Sequence, residues 1–138
     1  SDDQDGFGAG IYARRFDGEG FALGQEFRVN CETYSNQSEP VAAGLPGGGF
    51  VVGWTDRRKQ EDFTFHSDIA LRLYDGVGQP TGSAITANGF VDKDQTRPAI
   101  VSVGSDFIMT WNGHLQTGSN GNKIYLQRFS AKGVKVVP

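Results

Sequence analysis

The chain has a single cysteine, Cys31, so no disulfide can close within it. Its simplest reading is a half-buried thiol on a strand. A nucleophilic cysteine needs a base beside it, and the residues around Cys31 offer no such pattern. Basic residues are outnumbered: 13 Lys and Arg face 16 Asp and Glu, a net charge of −3 with a pI near 5.3. That balance argues against a nucleic-acid partner, because phosphates call for a basic face. No apolar run approaches the roughly 18 residues that cross a bilayer as a helix, so membrane insertion is not expected. His66 and His114 are the only histidines, and they fall in no zinc-ligand spacing. A nucleophile elbow, a phosphate-cradling glycine loop and a metalloprotease helix motif are all missing, and no enzymatic activity is expected. No stretch keeps the 3.6-residue apolar period of a helix. No leader is recognisable at Ser1, which reads as the start of a mature chain or an excised segment.

What the sequence does have is glycine and repetition. Twenty of its 138 residues are glycine, with no three-residue period, which points to many turns rather than to collagen. Ile11-Tyr12-Ala13-Arg14-Arg15-Phe16-Asp17 returns 58 residues later as Ile69-Ala70-Leu71-Arg72-Leu73-Tyr74-Asp75, and 55 further on as Ile124 to Ser130. Phe27 to Asn30 matches Ile85 to Asn88, and Gln37 and Pro40 match Gln95 and Pro98. Gly47 to Trp54 matches Gly104 to Trp111 at an offset of 57. Blocks that stay in phase define a repeat of about 57 residues.

Aromatic and β-branched residues mark four strands per period, at 40–45, 50–55, 69–74 and 83–88, with Gly, Pro, Asn and Asp at the breaks. The expected fold is all-β, built from four-stranded antiparallel repeats that act as β-propeller blades. One blade buries only part of its surface alone, so blades must stack. The phase divides the chain into a partial blade over 1–36 (third and fourth strands), a complete blade over 37–94, and a blade lacking all or part of its last strand over 95–138. That is too few strands for a closed ring. Completion is expected from the remainder of a longer chain or from self-association of several copies.

Gly10 to Asp17, Leu23-Gly24 to Asn30, Gln37 to Ala42 and Gly48 to Trp54 together resemble repeats of large secreted bacterial proteins. Many of those carry RTX-type calcium repeats or cadherin-like modules. The resemblance covers nearly the whole chain and implies an extracellular or cell-surface setting and surface binding. The long charged segment from Thr55 to Asp68 departs from the glycine-rich loop usual after the second strand.

Three sets of residues are candidates for binding. Asp3 and Asp5, in Asp3-Gln4-Asp5-Gly6-Phe7-Gly8, alternate carboxylates with glycine as a hard-cation loop would, which suits calcium; a polar turn is the plainer reading. Trp54 with Asp56 and Arg57, and Trp111 with Asn112 and His114, offer a ring to stack on a sugar and polar groups for its hydroxyls. The alternative is that each tryptophan closes the gap between sheets. Arg14, Arg15, Arg72 and Arg128 recur on the third strand and suit either an acidic glycan or local ion pairing, their stems covering apolar surface. The leading expectation is a non-enzymatic carbohydrate-binding, lectin-like module that recognises a glycan or cell-surface polymer through blade loops. The second is a structural segment of a large bacterial adhesin or extracellular filament without a small-molecule ligand.

Overall fold

A computed structural model describes residues 9–30, 35–59, 65–89, 94–114 and 122–136. Cys31 and the pair Asp3 and Asp5 lie outside these described residues. Among the described residues the architecture is all-β and antiparallel, with a 3₁₀ turn at Pro46–Gly48. The strands of the described residues follow in order: β1 Tyr12–Ala13, β2 Phe27–Arg28, β3 Asn36–Gly44, β4 Phe50–Lys59, β5 Phe65–Tyr74, β6 Ile85–Thr86, β7 Gln95–Val103, β8 Asp106–His114, β9 Asn122–Phe129 and β10 Lys135–Val136. They form a β1-β2 ladder and two four-stranded meanders, β3-β4-β5-β6 and β7-β8-β9-β10.

The sequence repeat is a repeat of register. Phe50 opposes Tyr74 and Trp54 opposes Ala70 in the central sheet; Phe107 opposes Phe129 and Trp111 opposes Tyr125 in the outer one. The β1-β2 ladder (Tyr12 opposite Arg28, Ala13 opposite Phe27) is the β5-β6 ladder (Ala70 opposite Thr86, Leu71 opposite Ile85) shifted by 58 residues. The turn after the third strand recurs three times. Asp17 Oδ1 accepts from the amides of Glu19 and Phe21, Asp75 Oδ1 from those of Val77 and Gln79, and Ser130 Oγ from those of Lys132 and Val134. Each turn then needs a residue of positive φ, met by Gly20, Gly78 and Gly133.

The first strand starts earlier than its apolar residues suggest, at Asn36 and Gln95 rather than at the prolines. The reason is a β-bulge before each proline, between Ser38 and Val41 and between Thr96 and Ala99. Glu39 and Arg97 sit in these bulges at φ of 54° and 56°, a left-handed conformation costing a non-glycine residue about 1–2 kcal/mol. Glu39 meets part of that cost with bonds. Its carboxylate accepts from Thr55 Oγ1 at 2.7 Å and from the Arg97 amide of the outer sheet at 2.8 Å.

Side chains alternate between the faces of a strand, and the central sheet buries both of its faces. Val51, Ile69, Leu71, Leu73 and Ala87 pack against Phe107, Met109, Trp111 and Phe129 of the outer sheet. Val52, Trp54, Ala70 and Tyr74 pack on the other face against Ile11 and Val29, beside β1 and β2. In the outer sheet, β7 lies nearest the central sheet, over β3, β4 and β5. Gly53 gives room where the sheets meet, since a Cβ there would stand 3.2 Å from Ile100 Cδ1 of β7 and 2.5 Å from Met109 Cε of β8.

Candidate functional site

The tryptophans are interior residues. Trp54 is 2 % exposed and Trp111 5 % exposed. Trp54 lies between the central sheet and the β1-β2 ladder. Trp111 lies between the two large sheets, stacks on Tyr125 at 6.2 Å between ring centroids, and donates its indole N–H to Gln95 Oε1 at 3.0 Å. Sugar stacking needs an open aromatic face, and neither ring has one.

Asp56 is buried as well, inside a polar chain that ties one unit to the next. The Ile11 amide donates to Asn30 Oδ1 at 2.8 Å, and Asn30 Nδ2 donates to Gln37 Oε1 at 3.1 Å. Gln37 Nε2 donates to Ser35 Oγ at 2.6 Å and to Asp56 Oδ1 at 3.2 Å, while Ser35 Oγ donates to the same carboxylate oxygen at 2.6 Å. A buried carboxylate is tolerated when donors surround it. The central sheet repeats half of this motif. The Ile69 amide donates to Asn88 Oδ1 at 2.7 Å, and Asn88 Nδ2 donates to Asp68 Oδ1 at 2.9 Å. The recurrence of Asn30 with Asn88 and Gln37 with Gln95 in the sequence was the available sign of this network.

Arg57 and Asn112 do not converge with the rings. Arg57 is exposed at the end of β4, opposite Asn36 and Ser67. Asn112 is half-buried, but it follows Trp111 on the strand and therefore projects from the opposite face of the sheet. His114 closes β8, opposite Asn122. Arg57 and His114 do share one end of the stack, where the strands flanking residues 31–34, 60–64, 90–93 and 115–121 also stop.

The recurring arginines are engaged internally. Arg72 Nε donates to the Gly82 carbonyl at 3.1 Å, as Arg14 Nε does to Gly24 at 3.0 Å. Arg72 also reaches across the unit boundary to the Val29 carbonyl at 3.1 Å, and Arg15 to the Gly76 carbonyl at 2.8 Å. Arg128 pairs with Asp106 at 2.8 Å. Two open recesses lie between the β1-β2 ladder and the first two strands of the central sheet. One, of about 280 Å³, is lined by Ala13, Arg15, Phe27, Ala42, Phe50 and Val52. The other, of about 420 Å³, is lined by Gly10, Tyr12, Glu26, Gln37, Ser38 and Pro40. Neither gathers the tryptophan-centred candidates. Comparison with protein-family models, with curated proteins and with solved structures gives no match to this chain.

Proposed function

We propose that this chain is a non-enzymatic stacking module, an extracellular structural segment of a bacterial adhesin or filament whose four-stranded sheets are blades of the propeller kind. One observation carries this reading: the recurring tryptophan, asparagine, glutamine and arginine side chains are taken up by packing and bonding inside and between the units. Trp54, Trp111, Asn30, Gln37, Gln95 and Arg72 all bury, bond or bridge between or within sheets. The meander order and the close approach of β7 to the central sheet support the blade arrangement. The extracellular setting rests on the resemblance of the repeat motif.

A glycan array probed with the 138-residue chain tests it. The structural reading expects no saturable, sugar-competable binding, and such a hit would overturn it. Carbohydrate recognition is the second reading, favoured by the exposed Arg57 and by the strand ends that share one end of the stack. There the polar residues Arg57, Asn112 and His114 carry the contact and the buried tryptophans only hold the frame. Arg57→Ala and Asn112→Ala would then abolish a sugar signal while leaving the fold intact.

A further inference from the structure

Each boundary between units is made from two matching half-surfaces. The third strand of one unit supplies aliphatic residues, and the next unit lays its own third-strand aromatic against them. Across the boundary between the large sheets, Ile69 and Leu71 are both 0 % exposed and Phe129 is 0 % exposed. Across the preceding boundary, Ile11 and Val29 cover Tyr74, which is 3 % exposed. The two outermost surfaces carry the same half-surfaces uncovered. On the outer sheet Ile124 and Leu126, the counterparts of Ile69 and Leu71, are 71 % and 64 % exposed. Val101 of β7 is exposed too. On the β1-β2 ladder Phe16, the counterpart of Tyr74 and Phe129, is 57 % exposed.

We propose that these two surfaces dock on each other between copies of this chain, head to tail. The outer sheet of one copy covers the β1-β2 ladder of the next, in the register already used inside the molecule. The inference rests on the stacking reading above and names its partner: a second copy, entering as a continuation of the interface between the central and outer sheets. The polarity follows from the residues. Among the described residues the uncovered third-strand Ile–Leu pair is on the outer sheet and the uncovered third-strand aromatic is on the ladder, so two identical faces do not pair. Contacts of this heterologous kind produce a ring when the rotation closes and a filament when it does not. Solvent-facing clusters of large apolar side chains are also where association is expected on general grounds.

The test is a mixing experiment on the 138-residue chain, read by native mass across a concentration series. One variant is Phe16→Asp. The other is Ile124→Thr with Leu126→Thr, which removes apolar area but keeps a strand-compatible residue at both positions. An unchanged unfolding midpoint at low concentration checks that each is folded; if Phe16→Asp is not, Phe16→Ser takes its place. The unmodified chain should gain mass in whole-chain steps as concentration rises. Each variant alone should stay at the mass of one chain over the same range. An equimolar mixture should give a two-chain species and nothing larger, because one functional half-surface remains on each partner. A single-chain mass for the unmodified protein up to its solubility limit would overturn the proposal, as would association that survives both variants or a mixture that does not pair. A sugar hit on the array would leave these masses unchanged, so the two readings fail separately.

Discussion

Ile69 and Ile124 hold the same place in the repeat, as do Leu71 and Leu126, yet the first pair is fully buried and the second lies open to solvent. The central and outer sheets share strand order and register. What separates them is a neighbour: the central sheet is covered on both faces and the outer sheet on one. Residue type follows the difference in places. Gly53 stands under Met109, whose Cε lies 2.5 Å from where a Cβ would sit, and its counterpart on the open face is Thr110. Leu73 sits in the core, and its counterpart is the exposed, ion-paired Arg128. The third turn uses Ser130 where the others use aspartate, and its bonds are longer, 3.3 Å against 2.9–3.0 Å.

The largest expected contrast is between matched truncations. Leu71→Ala should lower unfolding stability by about 2–5 kcal/mol, as core deletions do. Leu126→Ala should change it by no more than about 0.5 kcal/mol, measured by urea titration at a concentration where copies are separate. Equal costs would mean that the two sheets are covered alike. Next comes Asn88→Ala, which strips the bond partners from the Ile69 amide and from Asp68. It should cost about 1–3 kcal/mol, the range for a buried polar group left unpaired; a neutral result would remove the asparagine from the frame. The smallest effect expected is a gain. Ser130→Asp should give the third turn the geometry of the other two and raise stability by about 0.5 kcal/mol, visible as a small rise in the thermal midpoint. A loss would show that the turn's length, and not its acceptor, sets its bonds.

Much of this fold is legible in the sequence. Strand and turn residues recur in phase, and glycine marks the positions of positive φ at Gly20, Gly78 and Gly133. The bulge was hidden, because a residue before proline ordinarily avoids the left-handed region it adopts at Glu39 and Arg97. The fourth strand proved short, with only Ile85–Thr86 in regular pairing where a run over 83–88 was expected. The candidate site was less legible than the fold. Tryptophan followed by polar residues looks alike in a sugar site and in a sheet-to-sheet joint, and burial alone separates them. Alternation along the strand also sends Trp111 and Asn112 to opposite faces, which adjacency in sequence conceals. The exposure of Ile124 and Leu126 could not be read locally, since it depends on what lies across the face.

Face-to-face stacking of the two large sheets forms the core, and the contact between Gly53 and Met109 tests it most directly. A double-mutant cycle with Gly53→Val and Met109→Ala, followed by chemical unfolding, isolates that contact. Stacking in this register predicts that valine is better tolerated once Met109 is shortened, with a coupling of about 0.5–3 kcal/mol between the two changes. Strict additivity would contradict it, because residues that do not meet across the sheets have no reason to compensate each other.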